Sequence, residues 1–205
     1  MDQNLALMFL NRVRTNPDIV MQYSKDASGV FQPTTYSQLQ EEVATFAAGL
    51  AELGMVRGDK VGLIADNRKE WLVSDLAILG MGAADVPRGC DATEGEITYI
   101  LSWSECTLTI LENDKQLAKV VAHKSELPQL KSVVMMDAPA DAASAAAVAA
   151  GLTVHTFADV VSKGTARRKA KPGEYESEAT KGQPDDLATL IYTSEIGRAS
   201  CRERV

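Results

Sequence analysis

Cysteine and histidine are scarce in this chain, three and two among 205 residues. Cys201 sits in a short terminal string, and Cys90 and Cys106 have no Cys-x-x-Cys partner. A disulfide framework is therefore excluded, and free thiols suit a reducing cytosol. A zinc site assembled from Cys90, Cys106, His123 and His155 has no spacing to recommend it. The plain reading is two small buried hydrophobes and two ordinary histidines. Basic charge is also in deficit: 21 Lys and Arg stand against 28 Asp and Glu, a net −7. Bulk electrostatics then argues against a nucleic-acid partner and gives no basic patch for anionic lipid. No segment approaches the ~18 consecutive apolar residues of a membrane span. The polar start Met1-Asp2-Gln3-Asn4 does not resemble a secretory signal. These absences point to a soluble cytoplasmic protein and leave open peripheral contact with the inner face of a membrane.

What is present is a 45% hydrophobic chain, long enough for one domain with a sizeable core. Residues 4–14 carry Leu5, Met8, Phe9 and Val13 at helical spacing, ended by Asn16-Pro17-Asp18. Ile19 to Tyr23 and Phe31 to Tyr36 flank a turn at Lys25–Gly29 and read as a hairpin. Ser37-x-x-Gln40 is a capping box for a helix with Leu39, Val43, Phe46, Leu50 and Leu53 on one face, closed by Gly54. Val61–Ala65 is a short apolar strand. A helix from about Lys69 to Met81, apolar on most sides and including Trp71, reads as buried.

Ala83–Val86 is a further strand, stopped by Pro87. Thr93-x-x-Glu96 caps the next helix. Cys106–Leu111, Asp114–Lys124 and Ser132–Met136 continue the alternation. The fold expected is three-layer α/β, a mostly parallel sheet flanked by helices, with a small N-terminal hairpin. Residues 138–150 are nearly all Ala, a surface helix or an insertion. Val154 and Phe157–Val161 give a strand and a short helix. Residues 163–184 are charged and read as a surface excursion before a strand at Leu187–Thr193. Arg88-Gly89-Cys90-Asp91 reads as a polar turn, with a ligand-facing role as the alternative.

Residues 195–205 look foreign. A reverse translation of Glu195-Ile196-Gly197-Arg198-Ala199-Ser200-Cys201-Arg202-Glu203-Arg204-Val205 matches, from its second base, a common short-read sequencing adapter. The tail carries three Arg against two Glu, so without it the charge is −8. On this reading residues 1–194 are a partial N-terminal domain and 195–205 a non-native tail that packs against nothing specific. The alternative is a complete, non-enzymatic α/β binding module whose tail is natural. Just before the tail, a strand ends in Tyr192-Thr193-Ser194. Hydroxyls followed by glycines and a lysine would build a nest of N–H groups for phosphate, but these three residues alone are a weak signal.

Several strings, in order, carry a family resemblance. They are Phe9-Leu10-Asn11-Arg12-Val13 with Asn16-Pro17-Asp18, Thr35-Tyr36-Ser37-Gln38-Leu39, and Arg57-Gly58-Asp59-Lys60-Val61-Gly62-Leu63. Asp66-Asn67-Arg68-Lys69-Glu70-Trp71 and Gly82-Ala83-Ala84-Asp85-Val86-Pro87 follow, and Asp185 to Ser194 closes the series. From residue 5 to 194 the chain resembles the start of AMP-forming acyl-CoA synthetases of the adenylate-forming superfamily, and the Asn-Arg-x-Glu-Trp string looks most like long-chain fatty acid ligases. Arg88-Gly89-Cys90-Asp91 departs from the commoner pattern.

The resemblance implies the incomplete N-terminal portion of that fold. It implies a parent enzyme that joins a fatty acid to ATP with Mg2+, then passes the acyl group to coenzyme A. An acyl-carrier-protein acceptor is the runner-up. Tyr192, Thr193 and Ser194 would open the ATP phosphate loop. The catalytic and metal-binding residues would lie beyond 194, so the 205-residue chain itself is expected to be inactive and only marginally folded. The strands at 61–65 and 187–193 would lack neighbours. No oligomeric state is assigned.

Overall fold

The computed structural model describes residues 4–26 and 28–192, together with the backbone of 201–204. In chain order the elements are α1 (Leu5–Thr15), a hairpin of β1 (Val20–Lys25) and β2 (Phe31–Thr35), α2 (Tyr36–Glu52), β3 (Lys60–Ile64) and α3 (Lys69–Gly80). Then come β4 (Ala84–Arg88), α4 (Glu94–Trp103), β5 (Leu108–Leu111), α5 (Asp114–Ala122) and β6 (Ser132–Met135). The remainder is α6 (Asp141–Ala149), β7 (Thr153–Thr156), α7 (Phe157–Ala170), α8 (Glu174–Ala179), β8 (Leu187–Ile191) and β9 (Cys201–Arg204). The seven-stranded sheet has the order β7-β6-β5-β3-β4-β8-β9. It is parallel except for β9.

Side chains alternate across each strand. Val61 and Leu63 of β3, with Leu108 and Ile110 of β5, face a core shared with α1, α2, α3 and α7. Ile64, Leu111, Val133 and Met135 face the opposite core, built with α4, α5 and α6. This is the expected three-layer arrangement. The expectation that the strand at 61–65 would lack neighbours is corrected, because β3 lies mid-sheet with β4 on one side and β5 on the other.

Several local expectations are corrected too. The capping box of α2 is Thr35 with Gln38, two residues earlier than the sequence suggests: Gln38 N–H donates to Thr35 Oγ1 (3.3 Å) and Thr35 N–H to Gln38 Oε1 (2.9 Å). Thr35 ends β2 in extended backbone, which is what an N-cap requires. Pro87 does not stop β4, which runs on to Arg88. Ala84 N–H donates to Asp59 O, and Ala65 N–H donates to Arg88 O, so even-numbered residues of β4 bond toward β3. The missing N–H of Pro87 falls on the β8 side, past the bridging pair Asp85–Thr189.

The charged stretch 163–184 is not a surface excursion. α7 is capped by Thr156 and Asp159, packs across α2, and is followed by α8. Two glycines permit the crossing: a Cβ on Gly164 would lie 1.8 Å from the Thr45 carbonyl oxygen, and one on Gly49 would lie 2.1 Å from that of Val160. Several of the charges are paired. Arg167 meets Glu52 (2.9 Å) and Glu174 (2.7 Å), and Arg168 meets Glu41 (2.8 Å). Tyr175 of α8 is buried and donates its hydroxyl to Leu76 O.

The expectation that residues 195–205 pack against nothing specific stands untested by the described residues, of which only the backbone of Cys201–Arg204 belongs to that stretch, paired antiparallel with β8. Edge strands accept backbone partners without regard to side-chain identity, so this pairing carries no sequence information. Ile196 and Val205 lie outside the described residues.

Asp75 of α3, partly buried, and Asp85 of β4, buried, form a carboxyl pair. Burial, then the charge of Asp85, raises the pKa of Asp75. Burial raises that of Asp85 too, opposed by the nearby polar groups of Thr189 and Asp75. Carboxyls whose folded pKa exceeds the unfolded value hold protons more tightly when folded. Their stabilising contribution is present at low pH and is lost as pH rises past the ordinary carboxylate value of about 4 toward the folded value. Asp75→Asn is expected to flatten the fall in stability between about pH 4 and pH 8, and to raise stability at pH 8 by on the order of 1–3 kcal/mol. Urea melts at several pH values check this; a variant less stable than wild type at pH 8 would contradict it.

Candidate functional site

The loops after β3 and β5 leave in opposite directions. β3 leads through α3 to β4 on one side, and β5 leads through α5 to β6 on the other. Such a reversal opens a crevice at the carboxyl ends of parallel strands, where α/β sheets bind ligands. A large cleft of this chain, about 670 Å³, lies one step over from that switch point, at the carboxyl ends of β3, β4 and β8, lined by Asn67, Trp71, Arg88, Gly89, Ile191 and Tyr192 among others.

Tyr192 ends β8 in this cleft, and its side chain is anchored. The ring meets Tyr99 and Trp103 of α4 edge-on, with centroids 6.1 and 6.2 Å away. Its hydroxyl is 2.8 Å from Oγ of the buried Ser104. These contacts hold the chain directly after β8 against α4. Thr193 and Ser194 lie outside the described residues.

Arg88 borders the cleft with loose ionic partners, Asp91 at 3.8 Å and Glu96 at 3.5 Å, and its buried Nε has no partner among the described residues. Arg68 behaves differently. At the N-cap of α3 it bonds Glu70 and Asp137, each at 2.8 Å, so the Asn-Arg-x-Glu-Trp string ties α3 to the end of β6. Its pKa is raised by those carboxylates against the cost of burial. Trp71 is only partly buried and lines the cleft, where a core position was expected.

Asp66, Cys90 and Glu112 converge beside the cleft, which sequence reasoning missed. Asp66 N–H donates to Glu112 Oε2 (2.8 Å), and Cys90 N–H donates to Asp66 Oδ1 (2.9 Å). The only signal for this was positional, since each residue follows one strand of a parallel set. Cys90 is half-buried rather than buried; Cys106 is the buried thiol. Burial, with Glu112 and Asp66 nearby, pushes the Cys90 thiol up to about 11, so it is no ready nucleophile. The histidines do not join the cysteines. His123 pairs with Glu126 and Glu94 at the surface, and its pKa is raised by them, chiefly through the Glu126 hydrogen bond. Among the described residues no helix is long and apolar enough to cross a membrane.

Fold and cleft together define an α/β protein with a ligand crevice at its strand ends. Residues 9–194 match the AMP-binding enzyme family, and the chain belongs to that family. It is 28% identical over 163 residues to the chloroplastic long-chain-fatty-acid–[acyl-carrier-protein] ligase AEE15 of Arabidopsis thaliana, covering 78% of this chain and 22% of that protein. It is 28% identical over 191 residues to the long-chain-fatty-acid–CoA ligase FadD15 of Mycobacterium tuberculosis, covering 93% and 29%. Among solved structures, the A domain of carboxylic acid reductase from Segniliparus rugosus, in complex with AMP and a co-purified carboxylic acid, superposes with a TM-score of 0.74 at 21% identity. That match covers 94% of this chain and 34% of the solved one. The anthranilate CoA ligase AuaEII superposes with a TM-score of 0.73, also at 21% identity, covering 93% and 32%. The fold is that of the N-terminal portion of adenylate-forming enzymes, and the chain spans less than a third of the length of these two curated relatives.

Removing the Tyr192 hydroxyl should loosen the end of β8. Tyr192→Phe leaves the buried Ser104 Oγ short of a partner and is expected to cost about 1 kcal/mol, with Ser104→Ala recovering part of the loss. A double-mutant cycle by urea unfolding measures the coupling; additive losses would contradict the assignment.

Proposed function

We propose that this chain is the N-terminal part of an ATP-dependent, AMP-forming ligase that activates a long-chain fatty acid and transfers it to coenzyme A. The observation that supports it best is that β8, in a chain of the AMP-binding enzyme family, ends at Tyr192 in a cleft at the carboxyl ends of β3 and β4. Thr193 and Ser194 would open the phosphate loop there. In the reaction a carboxylate oxygen attacks the α-phosphorus of ATP, and the bond to pyrophosphate breaks. The thiol of coenzyme A then attacks the acyl carbonyl, loses its proton, and displaces AMP. Mg2+ bound with ATP would neutralise phosphate charge. The described residues contribute by placing the loop's first residue, through the anchoring of Tyr192 on α4.

Long-chain acids are favoured by the Arabidopsis and Mycobacterium relatives, whose names carry that substrate. The first of these names an acyl-carrier protein as acceptor, which keeps a carrier-protein thiol as the second reading. We further propose that residues 1–194 are a partial AMP-binding domain, that 195–205 are a non-native tail, and that the whole protein works in the cytoplasm, without a nucleic-acid partner and in peripheral reach of the inner membrane face.

The gene recovered in full is expected to encode a glycine-rich loop with a lysine soon after Ser194, and its product to release pyrophosphate on addition of a long-chain fatty acid and Mg·ATP. The 205-residue chain alone is expected to show no saturable binding of Mg·ATP by calorimetry, because after Ser194 its sequence supplies an acidic Glu195 in place of the glycines and lysine that a phosphate loop needs. A full-length product that releases no pyrophosphate with any fatty acid would refute the assignment, and micromolar ATP affinity in the 205-residue chain would refute the partial-domain reading.

A further inference from the structure

We propose that Asp66, Cys90 and Glu112 form a solvent-accessible binding site for a divalent transition cation of the zinc class. Asp66 stands two residues past β3, Cys90 two past β4, and Glu112 directly after β5. Because β3 lies between β4 and β5, the sheet brings the three side chains together, and one ligand atom from each lies within 4.8 Å of the others. A tetrahedral zinc ion with bonds of about 2.0–2.3 Å holds its donors roughly 3.5 Å apart. The cluster therefore needs to close by about an ångström at its widest, within the reach of side-chain rotation. One sulfur and two carboxylate oxygens are a donor set that zinc accepts and that magnesium, which demands oxygen, does not. Three protein ligands leave a fourth position open.

The carboxylates are already oriented. Asp66 is held by the Cys90 N–H, and Glu112 by the Asp66 N–H and by Asn113 Nδ2 (3.2 Å). Such outer contacts preset ligands for a metal. Gly89 leaves the approach clear, since a Cβ there would come within 3.4 Å of Asp66 Oδ1.

An independent observation lies on α5. Gln116 is 1% exposed, and its carboxamide reaches the same loop, with Nε2 3.4 Å from the Cys90 carbonyl. Its buried Oε1 has no hydrogen-bond partner among the described residues. A buried acceptor without a donor is costly, and a cation or its bound water would satisfy it. Lys119 does not occupy this role: its Nζ donates to the carbonyls of Cys90 and Ala92. On binding, the Cys90 thiol would release its proton to solvent as the sulfur–metal bond forms. Asp66 also lines the cleft assigned above to nucleotide, and a titration without nucleotide keeps the two proposals distinguishable.

The test is a titration of the reduced 205-residue chain with Co2+, followed by absorption and without nucleotide. A thiolate-to-cobalt charge-transfer band is expected, saturating at one equivalent, displaced by Zn2+ and retained in excess Mg2+. Cys90→Ser should abolish it, Asp66→Asn and Glu112→Gln should weaken binding at least tenfold, and Cys201→Ser should leave it intact. As a second readout, Zn2+ should raise the melting midpoint of the wild-type chain and not of Cys90→Ser. No band, a band that survives Cys90→Ser, or one lost with Cys201→Ser would overturn the proposal.

Discussion

The close crossing of α2 and α7 sets the path of the chain to its most informative strand. β7 lies at one edge of the sheet, while β8 pairs with β4, on the far side of β6, β5 and β3. Residues 157–186 must therefore traverse a face of the sheet. They do so over α2, where Gly49 and Gly164 let two helix backbones meet with no room for a Cβ on either. Arg167 and Arg168 then fasten the crossing to Glu52, Glu174 and Glu41. Exposed ion pairs contribute little singly, so the glycine contact, together with burial of Tyr175, is the stronger hold.

What the crossing delivers is a position. β8 runs parallel beside β4 with Asp85 opposite Thr189, and directly after it Tyr192 is pinned to Tyr99 and Trp103 of α4 and to Ser104 just past it. Tyr192 thus stands at a cleft lined from β3, β4 and β8. The polar groups around that cleft divide by function. Arg68 is consumed by two carboxylates and serves structure, whereas Arg88 has loose partners and borders the open space. Asp66, Cys90 and Glu112 make a negative corner beside it. An acidic chain can still present a phosphate site at such a place, because backbone N–H groups rather than net charge would hold the anion.

The sheet was legible because its strands are short apolar runs between helical periods, and because capping residues such as Thr93 and Glu96 mark helix starts without ambiguity. The errors have physical causes. Pro87 reads as a terminator unless one knows that its missing donor faces a sparsely bonded neighbour. Thr35 lost to Ser37 as a cap because a strand end and a helix start share that residue. The stretch after 163 looks solvated because its charges are as dense as those of a loop, and only the tertiary partners Glu41, Glu52 and Glu174 show that they are interfacial. The ordered strings from Phe9 to Tyr192 did identify the family. Within the site, sequence placed Tyr192 at a strand end. It gave no sign that Asp66, Cys90 and Glu112 meet, since strand order in a sheet is not written in local pattern.

The central claim is that the glycine crossing holds β8, and with it the cleft's far wall, in place. Hydrogen exchange on Gly164→Ala tests this most directly, with Gly95→Ala on α4 as the control, since a Cβ at Gly95 meets nothing within 4 Å. The account predicts that the amides of Leu187–Ile191 lose protection at least tenfold in Gly164→Ala while those of β5 and β6 keep theirs, and that Gly95→Ala changes neither. Wild-type protection of β8 in Gly164→Ala, or an equal loss across β5, β6 and β8, would contradict it.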